Sequence, residues 1–182
     1  MYLIILLLLL LWPFPLGHAQ EPEPQIPTVE PFAIAVNSLS QGGDSANCDS
    51  TTVTGNVAAS ANSLIIAAVT TEVGTGTAAI PSLTSTGLTW VLIDSQVCSV
   101  TTGLQMLSLF RAMSSSATSS TVALTLGATQ ANCTWSFVEF TGVDTSGTNG
   151  SGAIVQTNKG SSAGGSTTYT IPALTTITTG NI

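Results

Sequence analysis

Apolar and polar residues alternate along several short segments of this chain. Residues 121–126 read TVALTL, and residues 133–141 read CTWSFVEFT. In the second segment Trp135 and Phe137 fall on one face, and Val138 and Phe140 fall on the other. A period of two places successive side chains on opposite faces of a strand. Both segments are therefore predicted to be strands.

Further apolar runs of strand length occur between clusters of Gly, Ser, Thr and Asn. The run at 62–71 is almost continuously apolar, which predicts a central or doubly buried strand. Residues 41–45 contain two glycines and are predicted to form a turn. No helical period follows the first 19 residues, so the pattern predicts an all-β fold, an antiparallel β-sandwich of jelly-roll or immunoglobulin-like type. The remaining predicted strands are residues 32–36, 51–57 with a possible bulge at Gly55, 88–93, 104–113, 153–157 and 167–171.

The N-terminal segment has the pattern of an apolar signal helix. Residues 1–16 are almost wholly apolar but shorter than the roughly 20 residues of a membrane-spanning helix. Gly17 and Ala19 provide the small side chains of a cleavage site, so residues 1–19 are predicted to be a signal peptide, with an uncleaved anchor as the alternative. Residues 20–31 are rich in Pro and Glu and are predicted to be an extended linker. We expect residues 32–182 to form the β-sandwich domain, truncated before its last strand.

The net charge of the chain argues against two classes of binding partner. The chain has nine acidic residues and two basic ones, Arg111 and Lys159, giving a formal charge of −7. Binding to nucleic acid by phosphate neutralisation is therefore not expected, nor is contact with an anionic membrane after signal cleavage. Abundant Thr and Val favour strands, and the neutral polar residues suit a secreted or cell-surface protein.

Three cysteines, Cys48, Cys98 and Cys133, predict one disulfide and one free thiol in an oxidising compartment. We expect Cys98 to pair with Cys133, because both lie where a loop meets a predicted strand at the two sides of one meander. Cys48 bonded to either of them is the alternative, and three reduced, buried thiols are a further one. The chain contains no CxxC motif, so a zinc site is not expected.

Candidate catalytic groups are few. The single histidine, His18, lies in the predicted signal peptide, so we expect no Ser-His-Asp triad in the mature chain. Glu139 is the best candidate for glycosidase chemistry, which needs two carboxyl groups about 5–10 Å apart. A half-buried charge needs a partner, however, and we expect Glu139 to form a structural ion pair with Arg111 across neighbouring strands. No catalytic residue is assigned.

Three aspartates and two tryptophans are candidates for ligand binding, and each also has a simpler structural role. No cofactor is expected, although Asp44, Asp49 and Asp144 carry the kind of oxygen ligands that calcium binds. Trp90 and Trp135 lie in alternating strands, which favours core positions over an exposed sugar-binding platform.

Two sequons for N-glycosylation start at Asn132 and Asn149. They matter if the host glycosylates its exported proteins. Asn149 lies in a predicted loop and is expected to be the more accessible of the two.

The order of motifs resembles a β-sandwich module of bacterial extracellular and phage-associated proteins. The motifs are GLTWVL at 87–92, LFRA at 109–112, TVALTL at 121–126 and VEFTGVDTS at 138–146, with the E-F-x-G-V-D-T type segment the most specific. The resemblance implies a jelly-roll-like fold and a surface role, and it implies no activity.

These observations predict a secreted or surface-exposed, non-enzymatic module with a structural, adhesive or carbohydrate-contacting role. Glycans or other surface proteins are the expected partners. One alternative is a secreted glycoside hydrolase that uses carboxylates such as Glu139. Another is a fibre or capsid-like assembly subunit, which an exposed and unpaired edge strand would favour.

Overall fold

The computed structural model describes residues 33–45, 48, 51–98, 105–160 and 173. The chain divides into two units, residues 1–30 and 31–182, and all described residues belong to the second. Strands are the regular elements of this described part, which contains no helix, and the all-β prediction is confirmed. The strands are β1 Ala35–Asp44, β2 Thr51–Ala59, β3 Leu64–Glu72, β4 Ser82–Thr84, β5 Val91–Val97, β6 Gln105–Met113, β7 Thr118–Thr125 and β8 Asn132–Thr141.

The strands form two antiparallel sheets that pack face to face as a β-sandwich, as predicted. The larger sheet has the order β1-β8-β3-β6-β5, and the smaller one has the order β2-β7-β4. β3 lies at the centre of the larger sheet between β6 and β8. The inward residues of β3 are buried, and its outward residues Ile66 and Ala68 are half-buried between the neighbouring strands, while Thr70 is exposed. The apolar run in the sequence therefore corresponds to the central strand of the sheet.

The core lies between the inner faces of the two sheets. Phe137 and Phe110 flank the inward-facing residues of β3, and Leu124 and Val122 meet them from β7. Trp90 packs edge-on against Phe137 with ring centroids 5.5 Å apart. Its indole Nε1 donates to Ser85 Oγ at 2.9 Å, which gives this half-buried tryptophan a polar partner. Trp90 and Trp135 both pack against the core, as the alternation predicted.

Several element boundaries differ from the prediction. Residues 41–44 belong to β1 rather than to a turn, and β4 was not predicted. Residues 153–157 form no strand, and the predicted strand at 167–171 lies outside the described residues. The bulge in β2 is present, since the register with β7 shifts between Val53 and Asn56.

Two connections between the sheets meet at one end of the sandwich. Residues 60–63 link β2 to β3, and residues 114–117 link β6 to β7. The amide of Asn62 donates to the Ser114 carbonyl at 2.8 Å and joins the two connections. Gly150, in the loop after β8, packs on this end with φ +81°, and a Cβ there would lie 2.7 Å from Leu64 Cδ1. A larger residue at this position would be strained by the positive φ and would require the Leu64 side chain to move.

The disulfide joins Cys48 to Cys133, with the Cα atoms 5.6 Å apart, so the predicted Cys98–Cys133 bond is wrong and the alternative partner is correct. Cys98 is an exposed free thiol that follows β5. Two strands separate β5 from β8 in the larger sheet, which puts the two strands about 14 Å apart. A disulfide spans no more than about 7 Å between Cα atoms, so the strand order rules out the expected pair.

Candidate functional site

Glu139 is buried inside the sandwich, with 3% of its surface exposed. It lies opposite Ile65 in the β3–β8 register, and paired residues of an antiparallel sheet share a face, so it points toward the core. Its Oε1 accepts hydrogen bonds from the Ser60 amide at 2.6 Å and from the Ser63 hydroxyl at 2.7 Å. Glu139 therefore holds the 60–63 connection between the two sheets.

Two opposing effects act on the pKa of Glu139. Burial raises the pKa, but the hydrogen bonds from Ser60, Ser63 and Asn37 together outweigh burial and hold it below its ordinary value. The Ser63 hydroxyl has a single hydrogen and also lies 2.8 Å from the Ser60 carbonyl. The carboxylate is the stronger acceptor of that hydrogen because it is charged.

The predicted ion pair between Glu139 and Arg111 is wrong. Ile65 lies beside Glu139, and Ile66 lies beside Arg111, so the two charged side chains leave opposite faces of the larger sheet. The Nε atom of Arg111 is buried without a hydrogen-bond partner among the described residues. The sequence indicated correctly that Glu139 needs partners, but these partners belong to a connection about 80 residues earlier in the chain, which no local pattern indicates.

An ion pair does form elsewhere, at the surface. Lys159 Nζ lies 2.6 Å from Asp94 Oδ1 and donates also to the Ser95 carbonyl at 3.2 Å. The hydrogen bond from Lys159 lowers the pKa of Asp94. This pair ties the segment after β8 to the edge strand β5.

The acidic residues proposed for calcium do not form a site in the described part. No group of three or more His, Cys, Asp and Glu residues there could hold a metal ion. Asp144 Oδ1 accepts from the Ser146 amide at 2.7 Å, as an Asp that caps its own turn does. The hydrogen bonds of Ser146 lower the pKa of Asp144. Asp44 ends β1, and Asp49 lies outside the described residues.

The two sequons have different surroundings. Asn132 begins β8 beside the disulfide, and its Nδ2 donates to Glu72 Oε2 at 3.2 Å. Asn149 is half-buried in the loop after β8 and adopts φ +51°. Glycosylation of either residue stays a prediction.

The outer face of the smaller sheet is a surface that the candidate residues did not include. Pairing of β2 with β7 and of β7 with β4 places one set of outward residues side by side, and none of them is charged. All are exposed except Ala123, which is partly exposed. We call this surface the neutral face, and it consists of Thr51, Val53, Asn56, Ala58, Ser82, Thr84, Ser119, Thr121, Ala123 and Thr125.

The neutral face is held in place by the buried residues beneath it. From strand spacing and rise it measures about 20 Å by 10 Å. Its inward neighbours Val57, Val122 and Leu124 are fully buried, which fixes the backbone beneath it. Asn56 Nδ2 donates to Ser119 Oγ at 2.7 Å, so part of the surface is already ordered. The sequence signal for this face was the absence of charge at every outward position of the strands that form it.

Comparisons with known proteins find no relative of this chain. No protein-family model matches the chain, and neither the curated proteins nor the solved structures contain a significant match. Within the described residues, no helix has the length and hydrophobicity needed to span a membrane.

Proposed function

We propose that this protein is a secreted or surface-exposed, non-enzymatic β-sandwich module that makes adhesive contacts with uncharged polysaccharide. The observation that carries the proposal is the neutral face, a continuous array of hydroxyl, amide and methyl groups on a chain of net charge −7. An uncharged polyhydroxylated ligand matches these groups without the desolvation of a charge on either side.

The size of the neutral face favours a polymer over a folded protein partner. An area of about 200 Å² is well below the roughly 800 Å² that each partner contributes to a stable protein interface. Single neutral hydrogen bonds contribute about 0.5–1.5 kcal/mol each. A repeating polysaccharide compensates for weak single contacts, because it offers the same groups to many copies of the module.

Export is supported by two features. The Cys48–Cys133 disulfide is of a kind that forms and persists in oxidising compartments. Residues 1–19, of which the first 16 are almost wholly apolar, have the pattern of a signal peptide. The resemblance to bacterial and phage-associated surface modules agrees with this location.

The glycoside hydrolase alternative has less support from the geometry. Glu139 Oε1 accepts hydrogen bonds from Ser60 and Ser63, and the side chain is buried between the sheets. A catalytic carboxyl group needs to reach a glycosidic oxygen or a water molecule beside the sugar. A structural role for Glu139 explains its partners and its burial together.

The proposal is tested with the full chain expressed in a secreting host and collected from the medium. Mass spectrometry is expected to show a mature chain that begins at Gln20. The product is expected to co-sediment with insoluble neutral polysaccharides such as cellulose or chitin. Thr121→Glu places a charge at the centre of the neutral face and is expected to weaken binding at least tenfold, which corresponds to about 1.4 kcal/mol.

Thr70→Glu is the matched control for this variant. Thr70 is an exposed residue of the central strand of the other sheet, where its hydroxyl lies 2.6 Å from that of Thr134. The control is expected to bind as the unaltered protein does, with thermal unfolding confirming that both variants are folded. Equal binding by Thr121→Glu and the unaltered protein, or no binding to any neutral polysaccharide, would contradict the proposal.

A further inference from the structure

β1 forms one edge of the larger sheet and pairs with β8 on one side alone among the described residues. Within the part of the chain that the structure describes, no strand pairs with the backbone amides and carbonyls on its other side. A register shift between Ser38 and Ser40 divides β1 into two halves. The second half lies near β2, where a Cβ on Gly55 would be 3.0 Å from Ser40 Oγ. The open part of the edge is therefore residues 34–38.

Apart from the register shift that ends it, this open edge lacks the features by which proteins block edge-to-edge pairing. Edge strands are commonly protected by Lys, by Pro or by inward-pointing charges. Residues 33–43 contain none of these. Instead Ile34 and Val36 project two residues apart with 62% and 63% of their surfaces exposed. Val36 lies opposite Phe140 of β8, so the apolar surface continues onto the adjacent strand.

We propose that two copies of this chain pair through β1, in antiparallel orientation about a two-fold axis at Ala35. In this register Ile34 of each copy lies across from Val36 of the other, and Ala35 lies across from its own equivalent. The four aliphatic side chains lie side by side on the outer face of a continuous ten-stranded sheet, where contact between them covers part of their exposed surface. This inference does not depend on the ligand of the neutral face.

The sequence of the edge favours a second copy over a different partner. A two-fold interface needs a surface that is complementary to itself, and an aliphatic pair with spacing two meets this requirement when the strands run antiparallel. Copies of a chain with net charge −7 repel each other, but the first charge in β1 is Asp44, at its far end. The open edge thus brings no two carboxylates together at the contact.

Disulfide trapping tests the register directly. Ala35→Cys is made in a Cys98→Ser background, since Cys98 is an exposed free thiol. Residues paired across antiparallel strands have Cα atoms about 4.5–5.5 Å apart, which is within the span of a disulfide. We expect the secreted variant to form a covalent dimer under mild oxidation.

Ser38→Cys in the same background is the register control. Ser38 is also exposed and lies on the same strand, but the proposed pairing separates its two copies by about 20 Å along the edge. It is expected to stay uncrosslinked. Equal cross-linking of both variants, or of neither, would overturn the proposal. A mixed disulfide between Ala35→Cys and Leu92→Cys on β5 would also overturn it, because it would show head-to-tail association of the two edges.

Sedimentation equilibrium of the secreted protein supplies a measurement without engineered cysteines. We expect a reversible dimer with micromolar affinity, since edge pairing buries little surface. Val36→Lys is expected to shift the population to monomer. Val53→Lys changes a residue of similar exposure, 57%, on the other sheet and is expected to leave the dimer intact. A monomer at all concentrations, or equal effects of the two lysines, would contradict the inference.

Discussion

The carboxylate of Glu139 is a residue-scale solution to the problem of joining two sheets. The connection at 60–63 leaves one sheet and enters the other, and its Ser60 amide has no place in either ladder. Ser60 itself is exposed, but its amide meets the buried carboxylate of Glu139. Glu139 supplies the acceptor from below, and the charge that it buries is stabilised by the same donors. The Ser60 amide thus gains an acceptor, and the Glu139 carboxylate gains a donor.

Glu139→Gln keeps the shape of the side chain and removes its charge. We expect a loss of about 1–3 kcal/mol in the free energy of unfolding at pH 7, because an amide is a weaker acceptor than a carboxylate. The folded-state pKa of Glu139 lies below its ordinary value, so its stabilising contribution is present above that ordinary value. The contribution is lost as the pH falls through the folded-state pKa. The gap between the two proteins should therefore narrow below about pH 4.

Urea unfolding at several pH values measures this gap. Glu72→Gln is the control at pH 7, where it is expected to change stability by no more than about 0.5 kcal/mol. Glu72 is half-buried and accepts from Asn132 Nδ2 at 3.2 Å, a weaker arrangement than that of Glu139. A gap between Glu139→Gln and the unaltered protein that grows as the pH falls would show that the assigned donors do not stabilise the charged form.

The sequence predicted the role of a residue correctly where that role depends on its neighbours along the chain. The alternation around Trp135 and Phe137 correctly placed both rings inward. The sequence did not predict the partners of Glu139. Arg111 lies only two strands away from Glu139 in the larger sheet, but its side chain is on the opposite face. A shift of one residue in register reverses the face of every side chain, and sequence patterns do not specify register at that precision.

Among the elements, β1 shows how packing overrides local preference. Gly42 and Gly43 predict a turn, yet both lie within the strand. A Cβ on Gly42 would lie 2.8 Å from Trp135 Cζ2, so the indole of β8 occupies the space that a side chain would fill. Glycine within a strand commonly marks such a close approach. The glycine thus marks the site where a large ring crosses the neighbouring strand.

Gly42→Ala tests this packing. The added methyl forces the Trp135 ring or the β1 backbone to move, and overpacking of this kind costs about 1–3 kcal/mol. The free energy of unfolding and the tryptophan fluorescence spectrum are both expected to change. Gly55→Ala is the control, since its nearest contact is the rotatable hydroxyl of Ser40 at 3.0 Å. Equal and small effects at the two positions would show that Trp135 does not depend on Gly42.

At the scale of the whole molecule, the sequence predicted the two-sheet architecture but not the strand order. Short alternating segments indicate sheets, and β3, β6 and β8 were found within a few residues of their predicted bounds. Strand order depends on pairings between distant segments, and it determines which cysteines meet. The Cys48–Cys133 bond closes a loop across 85 residues, from the segment after β1 to the start of β8. Disulfides of this kind stabilise a small domain by about 2–5 kcal/mol.

The proposed dimer and the neutral face are connected by symmetry. A two-fold axis between antiparallel edge strands stands perpendicular to the shared sheet, so rotation about it keeps each layer on its own side. The smaller sheets of the two copies then lie on the same side of the dimer, with both neutral faces directed outward. The dimer thus presents two equivalent contact surfaces to one flat polymer surface, and binding of the second face becomes intramolecular.

Val36→Lys distinguishes the contribution of the dimer to binding from that of the neutral face. Because Val36 is on the larger sheet, the variant keeps its neutral face and should bind a short soluble oligosaccharide as the unaltered protein does. Its apparent affinity for an insoluble polysaccharide is expected to fall about 10–100-fold, since the second contact is lost. Calorimetry measures the affinity for the soluble oligosaccharide, and co-sedimentation measures the affinity for the insoluble polysaccharide. Val53→Lys is not used as a control here, because Val53 lies on the neutral face. Parallel losses for both ligands would show that Val36 contributes to the glycan contact itself, and an unchanged affinity for the insoluble polymer would show that dimerisation does not serve binding.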